Sequence, residues 1–150
     1  MRALVQRVTS GRVDIRRPDG TVYTKGRIGR GLVILFGVSV DDAVETAEKL
    51  ADKCVSLRCF EDEDGKINLD IRRIGGSILV VSQFTLYADT SRGNRPSFSG
   101  AARPELAVPC YRRFISSLEK HGIPVETGEF GADMAVEISN DGPVTLMLEL

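Results

Sequence analysis

The chain has 150 residues, 42% of them hydrophobic and 27% charged, with a formal net charge of −1. These values are ordinary for a soluble globular protein, and a chain this long suffices for one domain, residues 1–150, that buries roughly 68–70% of its unfolded surface. No apolar run approaches the roughly 18–20 residues of a membrane span; the opening MRALVQRVTSGRVDI is interrupted by Gln6, Arg7 and Arg12, so it lacks the apolar stretch of a secretory signal, and a cytoplasmic protein is expected.

Residues 2–8 and 12–15 read as two strands, followed by turn chemistry at Arg17-Pro18-Asp19-Gly20. GLVILFGV, residues 31–38, is a continuous apolar run of strand length and predicts a strand buried on both faces. Asp42 with Glu45 resembles a capping box, and Ala43, Ala47, Leu50, Cys54 and Leu57 recur at helical spacing to about Arg58. Asp64-Gly65 marks a tight turn. SILVVSQFTLY, residues 77–87, predicts a second buried strand whose polar residues come late. Residues 89–101 form a polar loop. A helix from about Glu105 to His121 carries Leu106, Cys110, Phe114 and Leu118 on one face and stops at Gly122 and Pro124. Pro109 either starts the regular helix or kinks it. Residues 134–139 and 144–150 predict strands on either side of Asn140-Asp141-Gly142-Pro143, which reads as a hairpin turn. Many strands with two helices make a mixed α/β domain.

The basic residues cluster. Between Arg92 and Arg113 five arginines face one acid, Glu105, and between Arg12 and Arg30 six basic residues face Asp14 and Asp19, a local balance of +4 each time. Charge alone favours a solvated surface, but two such segments suit a phosphate backbone. The three cysteines, Cys54, Cys59 and Cys110, form no C-x-x-C pair, which argues against a disulfide framework or a zinc site and for reduced thiols packed in helices. With one histidine, His121, at a predicted helix end, a Ser-His-Asp or Cys-His arrangement has no support. No metal and no cofactor is expected, and Walker and G-x-G-x-x-G loops are absent. An enzyme of this composition lacks the usual general base and needs an already reactive substrate.

Two segments stand out. Ser82-Gln83-Phe84-Thr85-Leu86 ends a buried strand, where polar groups and backbone N–H donors can face a pocket and stabilise an oxyanion. Thr85 has no evident base to make it a nucleophile. On pattern alone the segment reads first as a strand turning polar at its exposed end. The second is Asn140-Asp141-Gly142-Pro143-Val144-Thr145; an X-Pro bond is cis in only about 5–6% of cases, so the sequence does not predict a cis bond there.

SQFTL and N-x-G-P-x-T, in this order, closely resemble the D-aminoacyl-tRNA deacylase family of the bacterial and eukaryotic type. The likeness covers essentially the whole chain: MRALVQRV, GLVILFGV, LRCFEDEDGKINLD, SQFTLYAD, RGNRPSF, TGEFGADM and NDGPVTLMLEL stand in family order. An intact SQFTL argues against a related deacylase branch with a trans Gly-Pro bond and L-alanine preference. The resemblance implies a single-domain, three-layer β/β/α sandwich with barrel-like sheets and two main helices. It implies a homodimer in which Gly142-Pro143 is a cis pair that enters the partner's active site and rejects L-aminoacyl esters by steric clash. The substrates implied are D-aminoacyl-tRNA and, since glycine has no side chain to clash, glycyl-tRNA. Ser82, Gln83, Phe84 and Thr85 are then the catalytic segment, holding the aminoacyl group and terminal adenosine. Arg7, Asn140 and Thr145 belong with the Gly142-Pro143 selector, Arg7 holding the loop, and Arg92, Arg95 and Arg103 are candidate tRNA contacts. Catalysis would lean on the substrate's own ribose hydroxyl. A noncatalytic nucleic-acid-binding module on the same fold, or an esterase for another activated ester, are the alternatives.

Overall fold

The computed structural model describes Met1–Leu150. Its elements are β1 (Arg2–Arg16), β2 (Val22–Ile28), β3 (Gly31–Gly37), α1 (Val44–Val55), β4 (Phe60–Glu61), β5 (Ile67–Leu69), β6 (Ser77–Ser82), a 3-10 turn (Phe84–Tyr87), α2 (Pro104–Glu119), β7 (Val125–Thr127) and β8 (Asp133–Glu149). The sheet runs β2-β1-β3-β6-β7, with β8 paired along the other side of β1. It curls into a nearly closed, barrel-like surface, and the two helices cover one face, the mixed α/β architecture expected.

β3 and β6 explain the layering. They pair in parallel, and both are apolar at nearly every position because both faces are buried. Leu32, Ile34, Phe36, Ile78 and Val80 point into a core shared with Ala47, Leu50 and Cys54 of α1 and Cys110, Phe114 and Leu118 of α2. Val33, Leu79 and Val81 point the other way and meet Val8, Val13 and Ile28, with Met134, Val136 and Ile138 of β8 against them. Alternation along two strands thus builds an apolar layer on each side of them.

The structure corrects several boundaries. The two strands expected before Arg17 are one, β1. Thr9 and Ser10 are exposed, but the backbone runs on because β8 pairs with it almost throughout, while β1 exchanges β3 for β2 on its other edge. Residues 140–143 are not a hairpin turn, since both halves of β8 run antiparallel to the same strand. Val8 pairs with Asn140 and Gln6 with Thr145, so Asp141, Gly142, Pro143 and Val144 bulge out opposite the single residue Arg7. β6 stops at Ser82 rather than Tyr87, where its pairing with Phe36 of β3 ends. Helix α1 has Ala43 at its N-cap with no side-chain cap. The Asp42 carboxylate is instead taken by the Ser39 N–H and the Met1 amino group, each at 2.7 Å. Pro109 lies inside α2, which begins at Pro104. No helix is long and apolar enough to cross a membrane.

Candidate functional site

The residues singled out above fall into two groups. The first surrounds the end of β6. Gly37 lets the chain cross closely: a Cβ there would lie 2.9 Å from the Gln83 carbonyl oxygen and 3.2 Å from Leu86 Cβ. The Gln83 N–H donates to the Phe36 carbonyl at 2.7 Å, which turns the chain out of the sheet and into the 3-10 turn. That amide is therefore occupied, which narrows the expected oxyanion donors within the segment. Arg2 secures the far end of the turn, donating from Nη1 to the Leu86 carbonyl at 2.7 Å with its guanidinium 4.5 Å from the Tyr87 ring centre.

Ser82, Gln83 and Phe84 line one side of a cavity of about 90 Å³. Phe36, Val38, Ala102, Ala107, Tyr111 and Phe130 supply the apolar walls. Tyr111 donates its hydroxyl to the Val80 carbonyl at 2.9 Å, and burial pushes its phenol pKa upward, so it is a neutral, fixed wall. The Gln83 amide donates to Thr85 Oγ1. Phe84 is exposed and meets Phe98 edge-on at 5.0 Å.

No general base faces this cavity. His121 bonds Asp52 of α1 at 2.8 Å, just past the end of α2. The three thiols are buried, and burial raises the pKa of each, that of Cys54 to about 12. Cys54 and Cys110 sit in helices as expected, but Cys59 lies just before β4.

The second group is the bulge in β8. The Arg7 side chain is 5% exposed and lies beneath it. Its Nε donates to the Asp141 carbonyl at 3.3 Å and lies 3.1 Å from the Asp141 carboxylate, Nη1 donates to the Cys59 carbonyl at 2.9 Å, and Nη2 is 3.6 Å from Glu61. Asn140 closes the neck of the bulge, donating from Nδ2 to the carbonyls of Arg7 and Val144, both at 3.0 Å. Thr145 accepts from the Gln6 amide at 3.3 Å. Gly142-Pro143 forms the exposed tip, the peptide bond between them is cis, and Gly142 has φ +116. A Cβ at Gly142 would lie 2.9 Å from Val144 Cγ2 and 3.0 Å from Arg7 Nη2.

Within one chain the groups stay apart. Val8, beside the bulge, pairs with Gly31; five residues away on β1, Ala3 pairs with Phe36, the partner of Ser82. That interval spans about 17 Å of extended strand. Arg92, Arg95 and Arg103 are exposed on the loop beside the first group and take part in no ion pair. Arg103 is the N-cap of α2 and follows Ala102 of the cavity wall.

Sequence reasoning missed the cavity walls. Tyr111 and Ala107 lie in α2 beside the apolar positions that marked its buried face, and nothing in that pattern separates a wall from a core residue. Phe130 lies in TGEFGADM, a segment of the family resemblance to which the sequence attaches no role.

The family model described as D-Tyr-tRNA(Tyr) deacylase matches residues 4–149. A protein of Shewanella loihica named D-aminoacyl-tRNA deacylase is 53% identical over 150 residues, covering 100% of both chains. One of the same name from Thermotoga petrophila is 51% identical over 149 residues, 99% of this chain and 97% of its own. Among solved structures, the c-Myc DNA Unwinding Element Binding Protein superposes with a TM-score of 0.90 at 40% identity, covering 100% of this chain and 99% of that one. A probable eukaryotic D-amino acid tRNA deacylase superposes at 0.81 with 17% identity, covering 99% and 98%, a likeness of fold.

Proposed function

Because the chain belongs to the D-Tyr-tRNA(Tyr) deacylase family, we propose that residues 1–150 form one deacylase domain that hydrolyses the ester of D-aminoacyl-tRNA, and of glycyl-tRNA, in the cytoplasm. The observation that carries this reading is the exposed Gly142-Pro143 tip, held from below by a buried arginine. A tip with no reactive side chain is suited to exclusion by shape. With the substrate's amino group and ester fixed, a D side chain points to open space, an L side chain meets the Gly142-Pro143 backbone, and glycine meets nothing. One class of contact then admits many D-amino acids without reading their identity.

The separation of the two groups supports a homodimer. A tip about 17 Å along the strand from Ser82 completes a site only when it comes from a second copy. In that assembly Asn140, Thr145 and Arg7 hold the selector, and Ser82, Gln83, Phe84 and Thr85 receive the aminoacyl ester. The apolar cavity that Tyr111 and Phe130 help to wall offers a surface for the base of the terminal adenosine.

Water attacks the ester carbonyl, and the negative charge on the resulting tetrahedral oxygen is met by N–H groups of the turn beyond Gln83. Each such donor contributes about a hundred- to a thousandfold in rate. The ester carries its own neighbouring ribose hydroxyl, and orienting it with a water replaces the missing protein base. Arg92, Arg95 and Arg103 hold phosphates of the acceptor end.

Hydrolysis of D-tyrosyl-tRNA and L-tyrosyl-tRNA is measured in parallel with a chelator present. Rapid loss of the D ester alone is expected; if neither is cleaved faster than in buffer, the reading fails. A second reading, a noncatalytic nucleic-acid-binding module on this fold, is favoured by the name of the 40% identical structure. It is distinguished by nucleic-acid affinity that persists without any hydrolysis.

A further inference from the structure

Phe130 forms part of the cavity wall from the turn between β7 and β8, whose two ends are held by the Gly128 N–H on the Val80 carbonyl at 3.0 Å and by Asp133 paired with Arg16. It occupies the second position of a four-residue turn, Glu129-Phe130-Gly131-Ala132, closed by the Ala132 N–H on the Glu129 carbonyl at 3.2 Å, with Gly131 at φ +77. That is the pattern of a type II turn. Phe130 itself is 36% exposed, and its only aromatic neighbour is Tyr111, with ring centres 5.9 Å apart. Such a ring sits wherever its turn is placed.

Between those ends the turn is tied down by a polar cluster from the far hairpin. Arg17 donates from Nη1 and Nη2 to the two oxygens of Glu129 at 3.1 and 3.2 Å, and from Nη2 to Tyr23 Oη at 2.9 Å. Tyr23 in turn donates to Glu129 Oε2 at 3.0 Å, and the guanidinium lies 5.4 Å from the Tyr23 ring centre. A forked guanidinium on a carboxylate fixes direction as well as distance. Among residues 129–132, Glu129 alone makes side-chain hydrogen bonds, all to Arg17 and Tyr23. Arg17 is itself set by the β1–β2 turn, donating its N–H to the Thr21 carbonyl at 2.8 Å and accepting from Gly20 at 3.0 Å.

We infer that Arg17, Tyr23 and Glu129 are positioning residues for substrate: they dock the β1–β2 hairpin onto the 129–132 turn and so fix Phe130 as the wall against which the end of the tRNA substrate is held. None of the three lines the cavity, and none touches the reacting atoms. This rests on the proposed function for what the cavity holds, but not for whether the cluster sets the wall.

The chain contains no tryptophan, so Phe130→Trp gives a single reporter at the wall. In that background Glu129→Gln is expected to shift the emission to longer wavelength, as the ring leaves Tyr111 for water. With Phe130 in place, Glu129→Gln is expected to raise KM for D-tyrosyl-tRNA about threefold to fivefold, the range of an exposed charged cluster. kcat stays within about twofold on the same scale. The exchange Arg17→Glu with Glu129→Arg restores the pair and returns KM towards its starting value, while each single change does not. Unchanged emission together with unchanged KM overturns the inference, and so does a parallel fall of kcat, kcat/KM and thermal stability. If no form of the protein cleaves D-tyrosyl-tRNA, the proposed function fails, and the emission alone decides whether the cluster sets the wall.

Discussion

Arg7 and Asp141 are joined twice over, by the arginine Nε on the Asp141 main-chain oxygen at 3.3 Å and by the same Nε within 3.1 Å of its carboxylate. The contact lies one residue before Gly142 and its arginine is buried, so it sets where the tip of the bulge stands. Arg7→Ala leaves the Cys59 and Asp141 oxygens without their donor and is expected to cost about 2–4 kcal/mol of stability, read as a lower denaturant midpoint. Arg7→Lys keeps the charge but loses the fork and recovers only part of that cost.

At Gly142 the expected effect is on hydrolysis and not on RNA binding. Alanine there meets φ +116 and two atoms within 3.0 Å, Val144 Cγ2 and Arg7 Nη2, a strain of about 1–3 kcal/mol. Gly142→Ala is expected to lower D-tyrosyl-tRNA hydrolysis at least about tenfold, one step of 1.4 kcal/mol. RNA affinity, measured by filter binding, is expected to stay nearly unchanged. Loss of affinity with no hydrolysis to lose favours the binding-module reading.

Gly37 tests the other group. Gly37→Ala drives a methyl group against the Gln83 carbonyl at 2.9 Å and displaces the turn that carries Phe84 and Thr85. The expected result is a fall in single-turnover rate that exceeds any change in KM, with a stability loss of about 1–3 kcal/mol. Gly29→Ala, where an added Cβ meets nothing within 4 Å, is the matched control and is expected to change neither.

Alkaline pH should destabilise the protein through groups whose protons burial retains, the Cys54 thiol with Tyr87 and Tyr111. Burial raises the Cys54 pKa to about 12 in the folded chain, against about 8.5 when unfolded. The folded state therefore holds a proton that the unfolded state releases. Stability is fully present below about pH 8.5 and declines as pH rises towards 12, by about 1.4 kcal/mol per pH unit for each such group. Cys59 and Cys110 are shifted the same way, also chiefly by burial. Denaturation at a series of pH values above 9 checks the slope, which Cys54→Ala should flatten; native protein should resist alkylation at Cys54.

Arg92, Arg95 and Arg103 carry exposed charge with no carboxylate to neutralise it. Changing all three to glutamine is expected to weaken tRNA binding and to lower the dependence of log K on log salt by about 2–3, since each phosphate contact contributes about 0.7–0.9. An unchanged slope would remove these arginines from the tRNA surface.

Where the sequence was legible, one local rule decided the structure. Apolar runs with no polar interruption could only be strands covered on both faces, and β3 and most of β6 are. The stop at Gly122 and Pro124 likewise follows from local chemistry. Elsewhere a partner distant in sequence decided. Asn140-Asp141-Gly142-Pro143 has the residues of a hairpin turn, but β1 holds both flanks in one direction and forces a bulge. Asp42 has the spacing of a cap, yet its carboxylate is taken by the distant Met1 amino group together with the nearby Ser39 N–H. SQFTL looks like strand because its residues suit one; the strand ends where Gly37 admits a crossing chain. Arg7 is named by its place in the motif set, whereas its burial beside Cys59 and Glu61 depends on folding that no short window contains.

The span of sheet between the Ser82 turn and the Gly142 bulge has a genetic consequence. On the proposed reading, every site draws its two halves from two polypeptides, and these come from different alleles in the mixed dimers that form when two alleles are expressed together. A Gly142 mutant and a Thr85 mutant, each inactive alone, would then pool their intact halves in mixed dimers, each with one whole site and one doubly broken site. Random assortment makes half of the dimers mixed, so co-expression would return about a quarter of full activity. Two alleles damaged in the same half would return nothing.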